Sequence, residues 1–161
     1  MPWMWISALV ALVLDQASKH TVVFSMELIR QREITVWPPF VTFRYGENTG
    51  INFGLFGGGS DEARWVLVGL SVVVCTALLW WVTRTARPWQ MYLATGLLIG
   101  GALGNVVDRV RYGYVLDFLN MSCCGIDNPY VFNLADVFIF AGAIGLFLFE
   151  GRGGDGSKNA G

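Results

Sequence analysis

Apolar residues in this chain run in long blocks, with turn residues and charges gathered between them. Four blocks are long enough to cross a bilayer as helices, which takes about 20 residues. They are Trp3 to Met26, Ala63 to Val82, Trp89 to Val107 and Phe132 to Phe149. Tryptophan stands near several of their ends, at Trp3, Trp5, Trp65, Trp80, Trp81 and Trp89, as it does at membrane–water interfaces. Thr83 to Pro88 is a short connection, whereas about 27–62 and about 110–131 are substantial loops. In the first loop Ile34-Thr35-Val36-Trp37 and Phe40-Val41-Thr42-Phe43-Arg44-Tyr45 flank Pro38-Pro39. Such β-branched and aromatic runs predict two short strands and a turn, lying on the membrane surface. Gly54 and Gly57-Gly58-Gly59 follow as a mobile stretch.

The fold expected from this pattern is an all-α membrane protein: four transmembrane helices with a small extracytoplasmic β-sheet on the first loop. It forms one domain over residues 1–150. Residues 151–161 are Gly-rich and polar, have nothing to bury, and read as a disordered cytoplasmic tail.

Composition agrees. The chain is 54% hydrophobic and 14% charged, with mean hydropathy +0.50, where a soluble domain carries about 25% charged residues. A net charge of −1 offers no electrostatic reason to expect nucleic acid. The start, Met1-Pro2-Trp3-Met4-Trp5, lacks a basic n-region, and Asp15 and Lys19 interrupt the apolar run, so it reads as a retained helix. Cys75 lies in an apolar block. Cys123 and Cys124 are adjacent, which leaves both a vicinal bridge and two thiols open. An even number of spans puts both termini on one side. Arg84, Arg87, Arg152 and Lys158 place that side in the cytoplasm, although Arg30, Arg32, Arg44, Arg64 and Arg111 weigh against it.

Ionisable residues inside spans are costly in lipid and mark function or pairing. Asp15 and Lys19 are i and i+4 and can pair; an ion pair that only holds helices together fits that spacing equally well. Asn105, Asp108 and Arg109 form a polar stripe, with Asp108 and Arg109 able to compensate each other, and Gly100, Gly101 and Gly104 precede them at close-packing spacing. Asp117, in Val115-Leu116-Asp117-Phe118, and Asp136, in Phe132-Asn133-Leu134-Ala135-Asp136, have no adjacent base. Each alone could be an interfacial acid or helix cap. Together, returned to one membrane face by the third loop, they make a pair that cannot both ionise, so one serves as acid and the other as base. The sole histidine, His20, and the lack of H-E-x-x-H speak against a serine triad and a metal hydrolase.

Five segments in order, D-Q-A-S-K from Asp15, N-T-G-I-N-F from Asn48, G-A-L-G-N-V-V-D-R ending at Arg109, V-L-D-F from Val115 and F-N-L-A-D from Phe132, resemble the lipoprotein signal peptidase (signal peptidase II) family. The resemblance implies an aspartic endopeptidase of the bacterial inner membrane. It would remove signal peptides from prolipoproteins, cutting just before the diacylglyceryl-modified cysteine, near the periplasmic face and without metal or cofactor. It implies Asp117 and Asp136 as the catalytic pair. Asn48, Gly50, Asn105, Asp108, Arg109, Asn133, Asp15 and Lys19 would bind substrate or support the site. Ile51 and Asn52 depart from the small residues usual in the second motif. The expected partners are diacylglyceryl-modified prolipoproteins and membrane lipid, with no nucleic acid, and the expected state is a monomer. Two other readings use the same residues: a small transporter or proton-conducting protein, and an assembly subunit whose polar groups zip helices together.

Overall fold

The computed structural model describes residues 1–50, 61–123 and 128–150. Ile51, Asn52, the glycine stretch, Cys124 and the tail expected to be disordered lie outside them. The first span is α1 (Pro2–Lys19), with proline in the first turn, where its missing N–H costs nothing. It runs on through a π-helical turn, His20–Ser25. Then come a single turn, α2 (Leu28–Gln31), strands β1 (Glu33–Trp37) and β2 (Val41–Asn48), and helices α3 (Asp61–Thr83) and α4 (Trp89–Tyr112). Strand β3 (Val115–Met121) and helix α5 (Leu134–Glu150) complete the described chain.

Three helices, Pro2–Ser25, Asp61–Thr83 and Trp89–Tyr112, are long and apolar enough to cross a membrane. Helix α5 has 17 residues, of which only Asp136 and Glu150 are charged. The third helix extends five residues past the predicted Val107, which puts Asp108 and Arg109 inside it rather than at its exit. Two features permit that extension. Arg109 and Arg111 fall in its last turn, where the helix dipole favours cations, and Gly113 closes it in the left-handed conformation (φ 92°).

Helix α4 is the centre of the bundle, packed on α1 along one face and α5 along another. Its glycines set those distances. A methyl at Gly100 would collide with the Ala8 backbone and lie 2.9 Å from the Ala11 Cβ, and one at Gly101 would lie 2.5 Å from the Ala135 carbonyl. At Gly104 it would come within 2.5 Å of the Asp15 carboxylate. Small residues let helices approach where apolar area alone gives no preference for protein over lipid. The outward faces are the most apolar surface of the molecule, with Trp5, Leu9, Val13, Val73, Trp80, Phe140 and Phe147 all exposed. In water such patches would be anomalous; against acyl chains they are a lipid-facing belt.

The strand prediction requires one correction. The sheet is three-stranded, in order β1-β2-β3 and antiparallel throughout. Its third strand comes from the second long loop, so it does not belong to the first loop alone. Val115, Leu116, Asp117 and Phe118 are all buried, so β3 shows none of the inside–outside alternation that betrays a strand. Leu116 and Phe118 join Tyr45, Leu28, Val22 and Val23 in a core that seats the sheet on the end of the first span. A bridge from Leu119 to Phe132 then delivers the chain to α5.

The glycine contacts predict opposite outcomes for two similar changes. Gly100→Ala should destabilise the protein in detergent by about 1–3 kcal/mol, the usual cost of overpacking. Gly69→Ala, on the exposed side of α3 with nothing within 4 Å, should be neutral or stabilise by up to about 1 kcal/mol through helix propensity. Reversible unfolding of the two variants beside the parent protein checks both.

Candidate active site

Polar residues from α1, α4, β3 and the start of α5 converge on one place. Lys19 Nζ lies 2.8 Å from Asp15 Oδ2 and 2.7 Å from Asp108 Oδ2, and all three side chains are at most 2% exposed. The i,i+4 pair expected within the first span therefore exists, but it is half of a three-residue knot. Asp108, expected to offset Arg109, finds its ion-pair partner on α1 instead. Gln16 braces the same knot, donating to Asp108 Oδ1 at 2.9 Å and Asp15 Oδ2 at 3.1 Å. Gln16 was not singled out from the sequence. The available signal was an amide standing inside an apolar span, one residue off the Asp15–Lys19 face.

The knot also holds backbone. Asp108 Oδ2 accepts the Leu116 N–H at 3.1 Å, and Asp15 Oδ1 accepts the Ala135 N–H at 2.9 Å. Those amides are the immediate neighbours of Asp117 and Asp136. Strand β3 and the first turn of α5 are thus tied to a common charged anchor.

Asn133 and Asp136 form a reciprocal cap at the start of α5. The Asp136 N–H donates to Asn133 Oδ1 at 3.1 Å, and the Asn133 N–H donates to Asp136 Oδ2 at 3.2 Å. The capping role considered for Asp136 is real and coexists with a second one. Asn133 Nδ2 donates to Asp117 Oδ1 at 2.6 Å, and Asn105 Nδ2 donates to Asp136 Oδ1 at 3.0 Å. Asn48 Nδ2 donates to Asp117 Oδ2 at 3.0 Å. Each carboxylate receives two N–H donors, and Asn133 serves both. Asn105 Oδ1 in turn accepts from Lys19 Nζ at 3.3 Å and Asn133 Nδ2 at 3.2 Å, which fixes the amide with its donor towards Asp136.

Gly50 turns over this site with φ 79°, its N–H donating to Asn48 Oδ1 at 2.9 Å. A side chain there would be strained, and its Cβ would lie 2.5 Å from Leu67 Cδ1. Arg109 Nη1 reaches the Asn105 carbonyl at 3.5 Å, and the charges of Asp117 and Asp136 both act on its guanidinium. The structure thus gathers all ten residues singled out from the sequence into one connected cluster.

Two openings flank the carboxylates. A polar cleft of about 250 Å3 lies beside Asp117, between Gly46, Asn48 and Thr49 on one side and Pro129, Tyr130 and Val131 on the other. An apolar groove of about 370 Å3 leads to Asp136 along Phe132, Val137 and Phe140. Neither Gly46 nor Tyr130 was picked out from the sequence, since nothing local distinguishes a cleft-lining residue from any loop residue. Among the described residues no group of three or more His, Cys, Asp or Glu side chains is placed to hold a metal ion.

Burial, reinforced by the Asp136 charge, pushes the Asp117 carboxyl from 3.8 up to about 6. A carboxyl raised to about 6 keeps its proton well above the pH at which an ordinary carboxylate ionises, which is what lets it give one.

Comparison with known proteins gives a consistent result. A family model described as signal peptidase (SPase) II matches residues 7–150. A lipoprotein signal peptidase of Alteromonas mediterranea is 39% identical over 154 residues, covering 95% of this chain and 82% of that protein. One from Methylobacterium sp. (strain 4-46) is 41% identical over 142 residues, covering 88% and 84%. A bacterial membrane enzyme solved by the in meso method at 2.3 Å resolution superimposes with a TM-score of 0.80 at 25% identity, covering 100% of this chain and 94% of that one.

The raised Asp117 carboxyl has a consequence for stability. Because its folded pKa exceeds the unfolded value, the folded protein keeps a proton that the unfolded chain has released between pH 3.8 and about 6. Stability from this group is fully present below that window and falls as pH rises through it. Asp117→Asn should remove this component. The stability difference between parent and variant should then shift against the parent, by at most about 3 kcal/mol, from pH 4 to pH 7. Unfolding titrations in detergent across that range measure it.

Proposed function

The chain belongs to the signal peptidase II family, and we propose that it removes signal peptides from prolipoproteins with Asp117 and Asp136 as its catalytic pair. The observation that carries the assignment is the shared bracket: one residue, Asn133, donates to both carboxylates, from its side chain to Asp117 and from its backbone N–H to Asp136, and the whole cluster is tied to the buried Lys19 knot. A device for zipping helices together needs no pair of acids opening onto two clefts.

In the reaction the ionised member of the pair takes a proton from a water molecule. The resulting hydroxide attacks the scissile carbonyl carbon while the protonated member gives its proton to the carbonyl oxygen. The tetrahedral intermediate then collapses: one carboxylate takes a proton from a hydroxyl of the intermediate as the C–N bond breaks and the other carboxyl protonates the leaving amine, which returns the pair to its starting single proton. Asn48, Asn105 and Asn133 hold the carboxylates in place through this exchange, so little reorganisation is needed. Arg109 offsets the negative charge that accumulates. The bond cut is the one preceding the diacylglyceryl-modified cysteine, and the lipid on that cysteine keeps the substrate at the depth of the site.

Four spans complete the architecture, with α5 as the fourth. Its 17 residues stand at the short end of the roughly 17–25 that cross a bilayer. The short connection with Arg84 and Arg87 then faces the cytoplasm together with both termini. The three-stranded sheet and the dyad lie at the periplasmic face of the inner membrane, where a monomer suffices. A proton-conducting protein is less well supported, because the buried acids are engaged by fixed donors and a lysine rather than aligned along a path.

Asp117→Asn and Asp136→Asn should each lower cleavage of a purified diacylglyceryl prolipoprotein by more than about 100-fold, beyond the loss of a modest general acid or base. The double variant should be little worse than either single one. Mass spectrometry of the products reads both rate and cut site. A single Asn variant that keeps more than that residual rate removes its residue from the pair. For orientation, in a background without native cysteines, a cysteine at Ser60 should react with an impermeant thiol reagent in intact cells and one at Ser157 should not.

A further inference from the structure

We propose that the polar cleft beside Asp117 is the subsite for the residues that follow the lipid-modified cysteine on the mature side of the cut, and that Gly46 sets the size it accepts. The inference rests on the peptidase reading above and assigns the two halves of the substrate to two different surfaces.

The cleft and the groove differ in chemistry as the two halves of such a substrate do. Upstream of the cut the precursor is an apolar segment resident in lipid; beyond the lipid-modified cysteine it is an ordinary chain entering water. The groove along Phe132, Val137 and Phe140 has no polar side chain except Asp136 itself, so peptide N–H and C=O groups laid there would lose hydrogen bonds. The cleft is the polar one, with Asn48 and Thr49 on its near wall. A peptide whose scissile carbonyl sits between the carboxylates therefore leaves its mature side towards Asp117.

Gly46 lines that cleft together with Glu47, Asn48 and Thr49. It pairs with Asp117 in the β2–β3 register, so the strand neighbour of the reactive carboxyl has no side chain. Nothing in the fold demands glycine there. Its φ lies outside the left-handed region, which among the described glycines only Gly50 and Gly113 occupy. A methyl on it would rest 3.5 Å from Asp117 Cβ and 3.6 Å from Val131 Cβ, which is ordinary contact. The missing side chain is space, and the space lies between the acid and the far wall. That wall is held firmly. The buried Asn120 side chain donates from Nδ2 to the Asn128 carbonyl at 2.7 Å and to the Tyr130 carbonyl at 2.8 Å. The Tyr130 side chain stands 76% exposed at the rim. A side chain added at position 46 must consequently narrow the cleft.

The test uses the full chain and two diacylglyceryl prolipoproteins that differ only in the residue after the modified cysteine, serine in one and tryptophan in the other. Parent, Gly46→Ala and Gly46→Val enzymes are compared by the ratio of kcat/KM for the serine substrate over the tryptophan one. The ratio should rise about tenfold in Gly46→Val, which takes up the room of three carbons, and about threefold in Gly46→Ala, which takes up the room of one. The change should appear mainly in KM for the tryptophan substrate. A general structural defect lowers both rates and leaves the ratio unmoved, and an unmoved ratio in Gly46→Ala overturns the subsite even where Gly46→Val fails to fold. Parent enzyme that cuts neither substrate overturns the peptidase reading itself. Parent enzyme that cuts both, with a flat ratio in the variants, overturns the subsite alone.

Discussion

Lys19 brings a full positive charge into the bundle with 2% of its side chain exposed, and two buried carboxylates, Asp15 and Asp108, close on it. Removing either sign would leave an uncompensated charge in a medium that cannot solvate it, a cost of about 3–5 kcal/mol. The interaction therefore dictates which way α1 and α4 face each other, and Gly104 provides the clearance that lets Asp15 reach across. Because the spare lone pairs of the two carboxylates take the N–H groups of Leu116 and Ala135, the same charges fix the strand carrying Asp117 and the helix start carrying Asp136. Two acids that are distant along the chain acquire a common origin of coordinates.

Orientation passes outwards from that knot through amides. Lys19 and the Asn133 side chain both approach Asn105 Oδ1, which leaves Asn105 Nδ2 for Asp136. Asn133 closes the loop by capping α5 and bracketing Asp117. Amides suit this task because each has a donor and an acceptor end and carries no charge to compete for the dyad's proton. The result is a pair of carboxyls supplied with fixed donors while one of them, raised to about 6, still costs the fold some stability near neutral pH.

The position of the two carboxyls between a polar cleft and an apolar groove follows from the sheet. Had β3 remained an irregular loop, Asp117 would sit in water with an ordinary carboxyl. Pairing with β2 and packing of Leu116 and Phe118 on the end of the first span draw it under cover, with polar cleft on one side and apolar groove on the other.

How much of this is written in the linear pattern can be judged from particular residues. Helices α1, α3 and α4 were legible because long apolar runs have few alternatives in lipid, where every backbone group must be satisfied within the segment. The pairing of Asp15 with Lys19 was legible because an i,i+4 contact is local. The same is true of Asn133 and Asp136, whose spacing is that of a helix cap. Asp117 and Asp136 stood out as acids with no adjacent base. The alliance of Lys19 with Asp108, the strand character of β3 and the cleft over Gly46 were not legible, for a common reason. Each depends on contacts between segments far apart in the chain, and each replaces a local signal: Arg109 as the nearer cation for Asp108, alternation as the mark of a strand, conformational need as the mark of a glycine. Sequence alone determined which groups would have to be satisfied inside the membrane. The tertiary structure decided with which partners, because a buried charge or strand takes the best partner that packing brings within reach, whatever its distance along the chain.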